Sequence, residues 1–451
     1  MLSQEENDLI TKTGPGSPAG ELMRRYWQPV ALADEIPLGG GPLPVRLLSE
    51  DLVLFRDDRG RAGLLDIRCS HRGADLSFGR IEEEGIRCLY HGWLYDVHGT
   101  CLDQPGEPAG STFYKKIRHT AYPCEERAGV VFAYLGPGEP PRFPDYPFLT
   151  ESGDHVAVGK LLHSCNYHQA NEGNFDLSHL TFLHYTRQNR GVGGGRQGPN
   201  AGIDEEERIS GRGAAPGVEE ADAESTSYSV RSYKRRRDVD AGTYHLYITE
   251  FVLPNFTVIP GGSRGQGGYG VNWHVPIDDT HHWKYSFDFL AGESVAPRGR
   301  SGVADEQYRP LQNRENRYLQ DRQEMERETY LGMGRAFLIH DLFATESEGP
   351  IQDRTKEHLG AMDKPVTAVR KLLLNAIARL EGGEEPPNVL RENGSEHPRF
   401  SSYRGVLPDT VDWLEVGPWL QQVRLTREGD WTSALSLETG SADEPPHSKG
   451  R

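Results

Sequence analysis

The sequence predicts an α+β protein in two parts: a small antiparallel β domain, then a larger antiparallel sheet covered by helices. Three observations predict this. From Trp27 to Gly136, short β-like runs alternate with turn residues, among them Val45–Leu48, Leu52–Arg56, Gly63–Ile67 and Gly129–Leu135. Five prolines between Pro137 and Pro147 then read as a stiff linker, which puts the boundary near residue 150. Beyond it come longer alternating stretches, at Tyr228–Tyr233, Thr243–Ile259, Tyr269–Pro276 and His282–Ala291, followed by helical patterns.

In order, Ser3-x-x-Glu6 reads as a capping box opening a short helix. After Gly14-Pro15-Gly16, Ser17 and Pro18 suit the N-cap and first position of a second helix reaching about Tyr26. The 187–227 run is polar, Gly-rich and acidic without periodicity, and reads equally as a lid or a disordered insertion. Asp278-Asp279-Thr280 suits the turn of a hairpin joining the last two alternating stretches. Helices are predicted at about Gln307–Leu331 and Val366–Glu381. In the second, Val369, Leu372, Leu373, Ala376, Ile377 and Leu380 form one apolar stripe, which reads as packing on the sheet. The predicted divisions are 1–150, 151–435 and a loose tail at 436–451.

The totals bound the class. Of 451 residues, 36% are hydrophobic; counting Gly and leaving out Tyr brings this to roughly 44%, enough for a globular core. No apolar run approaches membrane-spanning length, so no membrane partner is expected. The net charge of −17 argues against nucleic acid. The N-terminus, Met-Leu-Ser-Gln-Glu-Glu-Asn, lacks a signal pattern. With two of five cysteines assigned below, Cys101, Cys124 and Cys165 are an odd set, pointing to free thiols in a reducing, cytoplasmic compartment.

The chemistry concentrates in two stretches. Cys69-Ser70-His71 is followed, sixteen residues on, by Cys88-Leu89-Tyr90-His91, with Gly73 and Gly92 close behind. Two mixed loops, each offering one thiolate and one imidazole, suit a [2Fe–2S] cluster in which one iron takes Cys69 and Cys88 and the other His71 and His91. The glycines permit the positive φ that such tight tips need. A structural Cys2His2 zinc site is the competing reading, although zinc sites usually pair like with like.

The second stretch is Glu172-Gly173-Asn174-Phe175-Asp176-Leu177-Ser178-His179-Leu180-Thr181-Phe182-Leu183-His184. Two His and a carboxylate bound facially would leave open positions on Fe(II). Asp176 and His179, three apart, share a helical face, whereas His179 and His184 lie about 140° apart on a regular helix. The helix is therefore expected to end or loosen between them. Leu180, Phe182 and Leu183 would surround the ligands with apolar side chains. An ordinary helix with hydrogen-bonded histidines is the bland alternative.

Both stretches resemble the α-subunits of the Rieske non-haem iron oxygenases, particularly the phthalate dioxygenase-like branch. The resemblance is strongest over 15–136 and 166–184 and implies a terminal oxygenase. Electrons from a reductase, possibly through a ferredoxin, would pass by the cluster to mononuclear Fe(II), with O2 as co-substrate and NAD(P)H used only indirectly. The substrate it implies is a small, anionic aromatic molecule to be hydroxylated; oxidative O-demethylation and a non-catalytic Rieske electron carrier are the alternatives. By the same resemblance, Asp176 bridges the two centres between subunits of a homotrimer or dimer of trimers. Asp341 stands where the family places its third iron ligand, with Asp353 as rival and His340 as a neighbour of the ligands. Arg187 and Arg190 are candidates for a substrate carboxylate or for solvated loop charges.

Overall fold

The computed structural model describes residues 1–82, 84–151, 154–181, 183–184, 219–238, 242–260, 268–291, 294–295, 302–392, 397 and 399–418. The chain opens with α1 (Gln4–Thr11), capped reciprocally as the Ser3-x-x-Glu6 pattern predicts: Glu6 N donates to Ser3 Oγ at 3.1 Å, and Ser3 N to the Glu6 carboxylate at 2.8 Å. Next is α2 (Pro18–Arg24), with Pro18 in its first turn. Ser17 precedes it without a capping bond, because its hydroxyl donates instead to the carbonyls of Lys12 and Gly14.

Eleven short strands follow: β1 (Gln28–Leu32), β2 (Leu43–Leu47), β3 (Glu50–Arg56), β4 (Ala62–Asp66), β5 (Arg80–Glu82), β6 (Gly85–Arg87), β7 (Leu94–Asp96), β8 (Cys101–Asp103), β9 (Ala121–Tyr122), β10 (Cys124–Arg127) and β11 (Val130–Ala133). They pair antiparallel into sheets of order β2-β3-β4-β9, β1-β11-β10 and β5-β6-β7-β8. Val53, Phe55, Leu65, Ile86 and Tyr95 fill the space between the first and third sheets, and Cys69 and Cys88 belong to that core.

The proline-rich segment is exposed at Pro137–Glu139 and packed down from Pro141 onward. Pro141 O accepts the Trp27 indole N–H at 3.0 Å, Phe143 packs on the same ring, and Tyr146 is buried ahead of α3 (Pro147–Thr150).

After β12 (Val156–His163) and α4 (Tyr167–Phe175) come β13 (Glu219–Ser225), β14 (Ser229–Asp238), β15 (Thr243–Val252), β16 (Phe256–Pro260), β17 (Gly268–Pro276) and β18 (His282–Leu290). Helices α5 (Arg322–Arg327), α6 (Phe337–Ser347) and α7 (Lys364–Glu381) follow, then β19 (Tyr403–Pro408). The large sheet runs β12-β18-β17-β16-β15-β14-β13, with β19 also on β15. The predicted hairpin joins β17 to β18, and Asp278 Oδ1 accepts the backbone N–H of Thr280 and of His281 in its turn.

Alternation sorts this sheet into two faces. Phe256, Trp273, Tyr285 and Phe287 point to the core shared with Phe132 and Phe148. The opposite face carries Asn272 and His274, both hydrogen-bonded to Asn174 of α4, and α4 in turn packs on α6. The stripe on α7 is buried from Val369 to Ile377, with Leu380 partly covered, as its spacing predicts.

Two expectations need correction. No continuous helix spans 307–331: a 3-10 turn at Arg317–Leu319 and the short α5 lie there, with positive φ at Tyr308, Arg317, Tyr318 and Leu319. Asn313 caps its own turn, Oδ1 accepting from the N–H of Glu315 and Asn316, which offers the backbone an alternative to helix. The end of the 187–227 run is a paired strand, β13, whose acidic side chains meet Lys234, Arg235 and Arg231 across the ladder. Residues 187–218, with Arg187 and Arg190, lie outside the described residues, as does the 436–451 tail. None of the five cysteines is in a disulfide. Among the described residues, no helix is long and apolar enough to cross a membrane.

Candidate metal centres

Two loops of near-identical construction hold the first set of residues. In one, Gly73 N donates to Cys69 O at 2.8 Å and Cys69 N to Ala74 O at 2.9 Å. In the other, Gly92 N donates to Cys88 O at 3.0 Å and Cys88 N to Trp93 O at 2.9 Å. Gly73 and Gly92 have φ of 72° and 78°, a conformation that costs a side-chain-bearing residue free energy. The matching turns bring the imidazoles of His71 and His91 to 4.3 Å between ring centroids.

The donor set suits a metal cluster. Cys69 and Cys88 are each 3% exposed, and burial raises the Cys88 thiol, with neighbouring Cys69 adding to the rise. A thiol held up in this way ionises readily only beside a cation, a charge that bound metal supplies. Among the described residues, His71 Nδ1 is buried with no hydrogen-bond partner, a costly state for a polar atom unless it ligates.

Three surrounding groups are not evident from the Cys and His spacing. Trp93 stacks on His71 at 4.5 Å, the Tyr95 hydroxyl lies 3.3 Å from Cys69 Sγ, and His119 holds Ser70 Oγ at 2.7 Å. Trp93 and Tyr95 stand just beyond the second motif, the one signal that could have marked them. Leu89 and Tyr90, at the tip, are 60% and 59% exposed.

The second set lies between α4 and α6. Helix α4 ends at Phe175, earlier than its sequence spacing suggests. Asp176 is extended (ψ 102°), so Asp176 and His179 do not share a helical face. His179 starts a 3-10 turn, and Leu183 N donates to His179 O at 2.8 Å before the chain reaches His184. Asp341 of α6 completes the group. One ligand atom from each of His179, His184 and Asp341 lies within 4.8 Å of the other two. Asp341 Oδ1 is 3.0 Å from His184 Nε2 and 3.7 Å from His179 Nε2. Asp353 is not part of it; its carboxylate binds Thr355 and Lys356 at the surface.

Neighbouring groups hold these side chains in place. Glu172 of α4 takes Arg354 at 2.7 Å and Arg370 at 2.6 Å; burial would raise this carboxyl, but the two guanidinium groups and His168 hold it well below the usual range. That network ties α4 to α7 and to the segment after α6. Phe337 stacks on His184 at 3.5 Å, and His340 approaches the same ring, Nδ1 to Nδ1, at 3.3 Å. Leu183 packs with Ile339 and Leu342; Phe182 lies outside the described residues.

Burial drives the His184 imidazole down to about 4, although Asp341 opposes it. Burial pushes Asp341 up, but His184 and His179 outweigh it and hold the carboxyl at about 2. His179 goes the other way: burial lowers it, yet the Asp176 hydrogen bond and the Asp341 and Asp176 charges leave it raised. Asp341 is the polar group at His184 Nε2, but their 3.0 Å approach lacks hydrogen-bond alignment, so among the described residues this buried nitrogen has no hydrogen-bond partner. Among the described residues the group is two imidazoles and one carboxylate, the set that leaves open positions on non-haem iron.

Comparison with known proteins adds the family. Residues 26–119 match the Rieske [2Fe-2S] domain, and residues 133–429 match the LigXa C-terminal domain like family. The chain is 35% identical to the phthalate 4,5-dioxygenase oxygenase subunit of Pseudomonas putida, over 92% of this chain and 94% of that one. The chain belongs to the Rieske non-haem iron oxygenases. This oxygenase is also 34% identical to the tert-butanol monooxygenase / tert-amyl alcohol desaturase oxygenase subunit of Aquincola tertiaricarbonis, over 87% of this chain and 81% of that one. Its fold matches the terminal oxygenase of carbazole 1,9a-dioxygenase from Novosphingobium sp. KA1, with a TM-score of 0.54 at 20% identity, over 82% of this chain and 94% of that one. The oxygenase uses a Rieske [2Fe–2S] centre, non-haem iron and O2, with electrons supplied through a reductase.

Proposed function

We propose that the oxygenase hydroxylates a small anionic aromatic substrate, with Cys69, His71, Cys88 and His91 holding the cluster and His179, His184 and Asp341 holding the iron. The observation that carries this reading is the convergence of His179, His184 and Asp341 in a chain that also matches a Rieske domain. When bound, the cluster supplies single electrons and the iron supplies oxygen activation.

The chain's own residues set the conditions for that chemistry. Phe337 and Leu183 limit water around His184, and the α4 anchor at Glu172 fixes the approach of His179. Asp176 receives Ser178 N–H on Oδ1 at 2.9 Å, while its backbone carbonyl receives His179 Nδ1–H at 2.5 Å, which orients the His179 ring toward Asp341. Its carboxylate is 30% exposed, so one face remains available to a neighbouring molecule. We place Asp176 on the electron path from the cluster of an adjacent subunit, in a homotrimer or dimer of trimers. The exposed Leu89 and Tyr90 beside the cluster loops support a protein contact there.

The electron donor in this reading is a reductase, with or without a ferredoxin, and the setting is cytoplasmic, in keeping with five cysteines outside disulfides. The division near residue 150 follows the proline-rich segment. Support for an aromatic acid comes from the phthalate-acting relative; the relative acting on an alcohol makes an uncharged substrate the competing outcome.

The test is product analysis under isotopically labelled O2, with reductase, on a panel of benzoates, phthalate, aromatic methyl ethers and tert-butanol. Labelled hydroxyl in an aromatic acid supports the reading. Turnover confined to ethers or alcohols would replace it with O-demethylation or alcohol oxidation, and no labelled product from any of them would contradict it.

A further inference from the structure

His119 belongs to neither motif, yet it is only 4% exposed, and its ring meets both groups that flank Cys69. Nδ1 lies 2.7 Å from Oγ of Ser70, the residue between Cys69 and His71. Nε2 lies 2.8 Å from the carbonyl of Asp66, at the end of β4. The ring stacks on Tyr95 at 4.7 Å and 29°, and the Tyr95 hydroxyl is 3.3 Å from Cys69 Sγ. The backbone is pinned as well. His119 N donates to Gly99 O at 2.8 Å, and Gly99, at φ 73°, comes so close that a Cβ there would sit 2.1 Å from the His119 carbonyl oxygen.

These partners fix the tautomer. A carbonyl oxygen only accepts, so Nε2 carries the ring proton. Burial holds the imidazole below its ordinary value, which keeps it neutral at pH 7, and Nδ1 therefore accepts from the Ser70 hydroxyl. Ser70 thus commits its proton to His119, and the hydroxyl placed to donate to Cys69 is that of Tyr95. That bond depends on where the Tyr95 ring lies, because a hydrogen bond weakens steeply as it bends or lengthens. Bonds at both ring nitrogens hold the His119 imidazole, and the imidazole in turn backs the phenol ring. Hydrogen bonds to the sulfurs are one of the terms that set the potential of an iron–sulfur centre.

We propose that His119 is a positioning residue of the electron relay: by backing the Tyr95 ring it keeps the phenol hydroxyl on Cys69 and so sets the reduction potential of the cluster. The inference rests on the assignment of Cys69, His71, Cys88 and His91 to that cluster, and it extends the relay to a residue outside both loops. Groups that touch no metal but orient those that do tune a bound centre in this way.

Anaerobic redox titration of the full-length holoenzyme, followed by absorbance, tests this in His119→Ala, His119→Gln, Tyr95→Phe and the double variant His119→Ala/Tyr95→Phe. Iron and acid-labile sulfide should match wild type in all of them. His119→Ala should lower the potential, in the same direction as Tyr95→Phe. Gln offers a donor and an acceptor on one planar group, so His119→Gln should lie closer to wild type. The double variant should match Tyr95→Phe alone, because His119 acts through Tyr95. A wild-type potential in His119→Ala would overturn the proposal, as would shifts that simply add in the double variant. Loss of the cluster from both His119→Ala and His119→Gln would make the task of His119 structural and overturn it too. A wild type without a Rieske spectrum would overturn the cluster reading itself, and this role with it.

Discussion

Asp341 Oδ1 stands 3.0 Å from His184 Nε2, although α6 and the loop after α4 are distant in sequence. By contrast, Asp353, twelve residues further on, faces solvent. Asp341→Asn should leave little iron beyond the cluster's own, with acid-labile sulfide unchanged. Asp353→Asn should leave iron content unchanged and stability nearly so, as expected of an exposed side chain away from both centres. Iron and sulfide assays decide it: iron lost from Asp353→Asn and kept in Asp341→Asn would reverse the assignment.

Metal uptake should release a proton from one histidine and not the other. His179, raised above its ordinary value of 6.5, is more than half protonated at pH 6.5 in the metal-free protein, whereas His184, at about 4, is already neutral there. Iron must displace the His179 proton, so affinity should rise with pH through that raised value, level off above it, and show no step from His184 above pH 5. Calorimetry in buffers of different ionisation enthalpy should report about one proton released near pH 6.5. Uptake without proton release there would contradict the raised His179.

Tyr95→Phe should lower the reduction potential of the cluster. With Cys69 bound as a thiolate, Tyr95 has the proton to donate across their 3.3 Å contact, and that bond stabilises the more negative, reduced state. Redox titration followed by absorbance reads the shift; an unchanged or raised potential would remove Tyr95 from the tuning of the cluster.

The assembly reading predicts complementation between two inactive variants. Cys69→Ser lacks the cluster and His184→Ala lacks the iron, so each alone should be inactive. Co-expressed equally, they should pair an intact cluster with an intact neighbouring iron at roughly a quarter of interfaces. Heterotrimers of well-folded variants without any activity would confine electron transfer to one chain.

The cluster loops were legible because four ligands of two types recur at fixed spacing, with Gly73 and Gly92 marking the turns. Asp341 is legible only through its place in the family resemblance, since no local motif fixes this ligand; the packing of α6 against α4 brings it to the histidines and leaves Asp353 at the surface. β13 was hidden because its acidic side chains give it no apolar face to read; they are matched instead to Arg231, Lys234 and Arg235 on the adjoining strand β14. The expected 307–331 helix failed because Pro310 and Asn313 favour turns that interrupt the helical pattern.

The most direct test of the whole account is a single turnover. Protein with its cluster pre-reduced and no reductase present is mixed rapidly with O2 and the aromatic acid that binds best, while absorbance follows the cluster. The account predicts cluster oxidation together with hydroxylated product in wild type, and a cluster that stays reduced, without product, in Asp341→Asn. Product formation at the wild-type rate in Asp341→Asn would contradict it.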